Sequence, residues 1–129
     1  MDEYSVDLTG RDLDLDRLRA VLPDLRVTRH HRKGSLACER DGRPQLNRNG
    51  RPWEDSSITL AYDGDRLLPF LGYLADRLTG LTDLGIEEIE VRGLLERDAE
   101  QINGELSAPE IAKLADLKAC FCFSIIPKQ

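Results

Sequence analysis

Apolar and polar residues alternate at the start of the chain. Positions 4, 6 and 8 are Tyr, Val and Leu, the positions between them and after them are Ser, Asp and Thr, and Gly10 follows. Alternation with a period of two predicts a strand that buries one face. Residues 57–62 alternate in the same way, and residues 86–95 do so with Glu and Arg on the polar side. Three half-exposed strands are therefore expected.

Three other segments repeat apolar residues at the helical period. The first lies between Asp12 or Asp14, either of which can cap it, and Pro23. The second and longest is predicted to begin at Asp63 or Asp65. The third follows a capping box at residues 107–110 and continues through Leu117. The apolar faces are Leu15, Leu18, Val21 and Leu22; Leu67, Phe70, Leu71, Leu74, Leu78 and Leu81; and Ile111, Leu114, Ala115 and Leu117.

The stretch between the first helix and residue 57 has weaker signals. Strands are predicted at residues 26–31 and around residues 35–40. Residues 41–44 and 49–52 both contain Gly-Arg-Pro and predict turns, because Gly supplies positive φ and Pro fixes φ. We expect a loop or a ragged hairpin here.

The last predicted strand, residues 119–126, is apolar at almost every position. A strand that is apolar on both sides is usually central in its sheet or covered on both faces, so we expect Cys120 and Cys122 to be small buried residues.

The order of these elements is β-α-β(β)-β-α-β-α-β. Half-exposed strands with only three helices predict an α+β fold, in which a mostly antiparallel sheet carries about three helices on one face. No stretch of linker composition divides the 129 residues. We therefore predict a single domain over residues 1–129.

Charge is distributed unevenly along the chain. Residues 26–51, which we call the basic segment, hold eight basic residues against two acids, a balance of +6 within a chain whose net charge is −6. The remainder therefore carries −12, and the only tryptophan, Trp53, follows the segment closely. Such asymmetry indicates where a partner docks without saying what the partner is.

Composition narrows the possible environments. No apolar run approaches the roughly 20 residues that span a bilayer, and the acidic N-terminus is unlike a secretory signal. Three cysteines make a disulfide framework improbable and favour reduced thiols. A cytoplasmic protein with no membrane partner is expected, and its acidity disfavours general binding to nucleic acids.

The spacing of residues along the chain argues against several kinds of functional site. Residues 12–16 resemble the start of a calcium loop, but Arg17 and Pro23 occupy the positions that need Gly and Glu. The His and Cys residues lack the gaps of zinc sites, and no glycine loop for phosphate is present. We predict no metal, no cofactor and no catalytic residue. A carboxylate pair acting as acid and base stays open, because 24 acids bring some together by chance.

Several stretches resemble a bacterial domain-of-unknown-function family, family 4279. They are residues 4–10 with Asp-Leu-Asp at 12–14, Leu22-Pro23, Arg-Lys-Gly at 32–34, Trp53 before the strand at 57–62, and residues 105–115 leading into the last strand. The chain departs from that pattern in the Cys-x-Cys strand and the arginine-rich loop. The resemblance covers nearly the whole chain and implies an α+β domain, without an activity or catalytic residues to carry over.

The leading functional hypothesis is a non-enzymatic protein-binding module, such as a cytosolic immunity protein that neutralises a bacterial toxin. Net negative charge suits rapid capture of a basic toxin. The predicted partner-facing residues are nevertheless Arg43, Arg48, Arg51 and Trp53. Helix capping and solvation explain the acids locally, whereas the basic segment has no such explanation and Trp is a frequent interface anchor. This prediction holds unless Trp53 lies in the core.

Two alternatives belong to other classes. A small anion- or metabolite-binding domain or enzyme would have its pocket beside the basic segment and Trp53, with Arg29, His30, His31 and Arg32 facing the ligand. Contact with a nucleic acid through the basic segment is the less favoured alternative.

Overall fold

A computed structural model describes residues 2–33, 37–38, 44–45, 54–98 and 105–127. The elements in chain order are β1 (Glu3–Gly10), α1 (Leu15–Val21), β2 (Arg26–His31), β3 (Ala37–Cys38), β4 (Pro44–Gln45), β5 (Ser56–Tyr62), α2 (Leu67–Leu78), β6 (Glu88–Arg97), α3 (Ala108–Leu117) and β7 (Cys120–Pro127). The α+β prediction is confirmed.

Five strands form one mixed sheet in the order β2-β5-β1-β6-β7. Strand β1 is central and antiparallel to both neighbours, with Val6 opposite Leu60 on one side and Val91 on the other. Strand β2 extends the sheet beyond β5 with a register shift between Val27 and Arg29. The last pair, β6 with β7, is parallel, since α3 carries the chain back across the sheet. Strands β3 and β4 pair separately, in agreement with the predicted ragged hairpin.

All three helices pack on the same face of the sheet. The even positions of β1 are buried, as are Ile58 and Leu60 of β5 and Val91 of β6. They share one core cluster with Leu18 of α1, Phe70 of α2 and residues of α3. The predicted apolar stripe of the longest helix contributes five buried residues to that cluster, and Leu81 packs against it from beyond the helix end.

Helix ends follow the predicted capping in two cases and depart from it in one. The side chain of Asp14 accepts the amide of Arg17 at α1, and the complete capping box starts α3 at Ser107. Helix α2 instead begins at Leu67 after Arg66, which makes no side-chain cap. The predicted start at Asp63 or Asp65 is therefore wrong. Those two acids lie exposed in the turn that precedes the helix.

The prediction for the last strand is also wrong in its placement. Strand β7 lies at the edge of the main sheet, and both Cys120 and Cys122 are exposed. An apolar sequence alone does not distinguish a central strand from an edge strand, because local composition does not encode pairing order.

Two glycines permit the close approach of the β1 end to the loop before β6. A Cβ atom at Gly10 would lie 1.9 Å from the carbonyl oxygen of Gly85, and Gly85 itself adopts a φ of +76°. Only glycine fits both the contact and the left-handed backbone without strain.

Among the described residues, no helix is long and apolar enough to cross a membrane.

Candidate functional site

The face of the sheet opposite the helices is the candidate site, and we call it the open face. Cross-strand partners share a face, so the odd positions of β1 align here with Thr59 of β5 and with Glu90 and Arg92 of β6. The parallel register adds Cys122 and Ser124 of β7. Arg26 of β2 lies opposite Ala61 on the same face, so every strand of the main sheet contributes to the open face.

A groove of about 820 Å³ occupies the open face. Its walls come from all five strands and from the turn that leads to α2, which contributes Asp63, Gly64 and Asp65. Gly64 contacts the ring of Tyr62, so a side chain at this position would collide with it. The tight turn brings two carboxylates to one rim of the groove.

The groove is acidic. Five carboxylates and two guanidiniums line it in the described part of the chain, namely Asp2, Glu3, Asp63, Asp65 and Glu90 with Arg26 and Arg92. Asp2 forms an ion pair with Arg97, and Glu90 forms one with Arg92. The negative environment extends to the buried Tyr4, whose pKa is raised by burial first and then by the nearby carboxylates of Asp2 and Glu110.

A chain of polar contacts crosses the floor of the groove, and we call it the cross-strand network. The hydroxyl of Thr59 donates to Asp7 Oδ1 at 2.6 Å, and Asp7 Oδ2 forms an ion pair with Arg92 Nε at 3.0 Å. Arg92 Nη2 also donates to Glu90 Oε2 at 3.0 Å, and Glu90 accepts the thiol of Cys122. The network thus connects β5, β1, β6 and β7.

The network shifts the titration of its members. The hydrogen bond from Cys122, followed by that from Arg92, lowers the pKa of Glu90. The same bond is the largest cause that raises the pKa of the Cys122 thiol, because the thiol donates to a carboxylate. The hydrogen bond to Glu90 is also the largest cause that raises the pKa of Arg92. These groups largely neutralise one another and form a fixed polar floor.

The four residues predicted to bind an anion do not line the groove. The register places Arg29 opposite Thr59 on the open face but His30 opposite Ile58 on the helix-covered face. His30 Nδ1 lies 3.4 Å from the guanidinium of Arg19. Arg32 forms an ion pair with Asp16 of α1 at 3.2 Å. Arg29 and His31 therefore lie on the open face, whereas His30 and Arg32 contact α1. An anion site made by all four residues stays a prediction.

His31 lies between a hydroxyl and a carboxylate. Its Nδ1 is 3.0 Å from Ser57 Oγ, and its Nε2 is 3.3 Å from Asp55 Oδ1. Ser, His and Asp also cooperate in nucleophilic catalysis, where oxyanion donors complete the site. Here Ser57 is paired across the sheet with Thr9 and with His31 itself, so the surrounding backbone belongs to the ladder. We interpret these contacts as attaching edge strand β2 to β5.

The predicted partner-facing residues Arg43, Arg48, Arg51 and Trp53 lie outside the described residues. Their role stays a prediction, as does the question of whether Trp53 lies in the core.

Sequence reasoning missed the cross-strand network. Asp7, Glu90 and Arg92 were expected only as solvated positions of half-exposed strands, and Cys122 was expected in the core. The available signal was an Asp at the middle of a strand, since acids are rare in strands unless a partner neutralises them. Register was needed to show that Arg92 is that partner.

The described residues contain no group of three or more His, Cys, Asp or Glu arranged to hold a metal ion. The resemblance to family 4279 stays a prediction. No family model, curated protein or solved structure matches this chain.

Proposed function

We propose that this protein is a non-enzymatic protein-binding module that captures a basic partner on the open face of its sheet. The observation that carries the proposal is the acidic groove of about 820 Å³ on a face that no described helix covers. A concave surface with excess negative charge concentrates cationic groups and accelerates their association. The net charge of −6 acts in the same direction over longer distances.

The unneutralised charges of the groove lie at its rim. Within the described residues, no hydrogen bond or ion pair neutralises the side chains of Glu3, Asp63 or Asp65, whereas Asp7, Glu90 and Arg92 are bound to one another. Rim carboxylates can therefore pair with Lys or Arg of a partner without breaking an existing contact. A phosphate or other anion would meet net repulsion here, which makes this groove a poor fit for the metabolite alternative.

An immunity protein that neutralises a basic toxin is the specific role that fits such a surface. A fixed polar floor and a charged rim suit a partner that associates rapidly by electrostatic attraction and does not require the sheet to rearrange.

A fluorescent arginine-rich peptide is a suitable probe of the groove, with binding measured by anisotropy at low salt. Replacing Asp63→Asn and Asp65→Asn together should raise the dissociation constant by roughly 5–10-fold, since two close charges are removed. The matched control is Asp76→Asn with Asp116→Asn, two exposed helix positions outside the groove. It changes the net charge equally and should alter binding by less than about twofold.

Equal weakening by both double variants would mean that net charge alone attracts the peptide, and absence of binding at low salt would also overturn the proposal. The toxin-specific role has its own test in the native host. A protein recovered with the wild-type chain should be basic, be encoded beside this gene, and be lost on Asp63→Asn with Asp65→Asn. A gene neighbourhood without any toxin would contradict the immunity role while leaving the peptide result intact.

A further inference from the structure

Strand β7 is an edge strand that has no charged residue and whose proline, Pro127, stands at its last position. It lies at the end of the main sheet, so one side of its backbone has no strand partner among the described residues. None of its eight residues, Cys-Phe-Cys-Phe-Ser-Ile-Ile-Pro, carries a charge. Phe123 is 47% exposed and Ile126 is 39% exposed. The edge strands of monomeric proteins usually carry charged residues, bulges or prolines that block further pairing.

The opposite edge of the same sheet has such protection. Strand β2 contains Arg26 and Arg29, and its register shifts irregularly between Val27 and Arg29. Charge and a bulge both discourage a further strand. The two edges of one sheet thus differ, and only β7 is suited to continue it.

We propose that β7 pairs with β7 of a second copy of this chain, antiparallel and edge to edge, to form a continuous ten-stranded sheet. We take a second copy as the partner because β7 is uncharged and apolar, and an identical strand matches it in both respects. The β2 edge does not match β7, because β2 carries charged residues. Pairing β7 with itself is isologous and closes as a dimer, whereas pairing β7 with β2 would extend without limit.

The faces and the proline fix the register of this pair. Directly opposed residues of antiparallel strands lie on the same face of the sheet. A two-fold axis perpendicular to the sheet keeps each residue on its own face. One residue must therefore lie opposite its own copy, with the axis between the two. An axis at Phe123 pairs residues 120–126 with one another and leaves Pro127, which has no amide proton to donate, outside the ladder.

In this register each face matches apolar or small uncharged groups. Phe123 lies opposite its own copy on the helix-covered face, while Cys122 lies opposite Ser124 on the open face. The ladder would contain roughly six to eight interstrand hydrogen bonds. Both groups of helices would lie on the same side of the ten-stranded sheet, and both acidic grooves would stay accessible on the other side.

The mass of the full chain, measured by analytical ultracentrifugation from about 1 to 100 μM, tests the association by mass action. The wild type should reach the mass of a dimer. Ser124→Lys places a charge on the exposed edge and should raise the dimer dissociation constant roughly tenfold or more. Thr28→Lys places the same charge on the exposed part of β2 and should leave the dimer unchanged. Circular dichroism checks that both variants fold.

Disulfide trapping tests the register. In a Cys38→Ser, Cys120→Ser background, Ser124→Cys should form a crosslinked dimer with Cys122 of the second copy under mild oxidation. Residues two apart in one strand cannot easily bridge within a chain. The proposed pairing would be overturned by a monomer at every concentration or by a dimer that Ser124→Lys does not weaken. Open-ended oligomers that Thr28→Lys disrupts, or failure to crosslink, would overturn it as well. The readout here is the mass or crosslinking of the chain rather than peptide binding, so the result is separable from the peptide-binding test.

Discussion

Glu90 accepts hydrogen bonds from two different donors, the thiol of Cys122 and the guanidinium of Arg92. The carboxylate therefore stabilises the protonated thiol, and this bond is the largest cause that raises the pKa of Cys122. Exposure alone would predict a reactive thiol at the sheet edge. The Glu90 contact instead keeps it in the form that is neither a nucleophile nor a strong metal ligand.

Glu90→Gln should make Cys122 react faster. Loss of the negative charge lowers the pKa of the thiol toward its ordinary value, so more thiolate is present at a given pH below the midpoint. The pH profile of alkylation by iodoacetamide, followed at Cys122 by peptide mass spectrometry, should move to lower pH. Glu88→Gln alters the same strand at an exposed position before the β7 pairing begins, and should leave the profile in place. A profile unmoved by Glu90→Gln would contradict the assigned contact.

The two ends of helix α3 differ in how well the local sequence supports them. Its capping box begins it at Ser107, and Lys118 ends it with a φ of 54°, the left-handed conformation. The Lys118 amide bonds back to Ala115 as the chain turns into β7. A non-glycine residue in this conformation carries a backbone strain of about 1 kcal/mol.

Lys118→Gly should raise the free energy of unfolding by roughly 0.5–1 kcal/mol, because glycine adopts the left-handed conformation without a Cβ clash. Lys113→Gly removes the same side chain from the interior of α3 and should lower the free energy of unfolding by about 1 kcal/mol. Urea denaturation measures both. The same sign for the two variants would refute the role assigned to the helix end.

Elements with strong local patterns could be predicted closely. Strand β1 and helix α3 need only alternation or a capping box, and both form where these patterns occur. Helix α2 begins later than its acids suggest, because Leu67 is the first residue that the core can bury and the preceding turn uses Asp63 and Asp65 at the groove rim. The edge position of β7 could not be predicted from its local sequence, because it depends on which strands pair with β1 and β6.

At the scale of the whole molecule, there are two candidate partner sites of opposite charge. The uneven charge along the chain predicts the basic segment, while the folded sheet presents an acidic groove that is made from residues far apart in sequence. The lining carboxylates belong to one groove only because strand pairing brings their segments of the chain together. The acidic groove therefore could not be predicted from the sequence, although the sequence shows that the chain is rich in carboxylates.

Arg48→Glu with Arg51→Glu tests the prediction made for the basic segment. If that segment faces the partner, affinity for the protein recovered from the native host should fall by about 1 kcal/mol or more without loss of the fold. Isothermal titration calorimetry with the purified partner gives the affinity, and Asp63→Asn with Asp65→Asn provides the comparison. Unchanged affinity in the arginine variant together with weakening in the aspartate variant would assign binding to the open face alone.

The central position of β1 also governs how the protein can fold during its synthesis. Strand β1 leaves the ribosome well before both of its sheet neighbours, β5 and β6, which begin at Ser56 and Glu88. At the rate of translation the nascent β1 remains without its sheet partners for a time on the order of seconds. The N-terminal half therefore cannot complete a stable sheet in advance, and folding waits until most of the chain has emerged. Long-range pairing of this kind also makes folding slow compared with that of a helical protein of equal length.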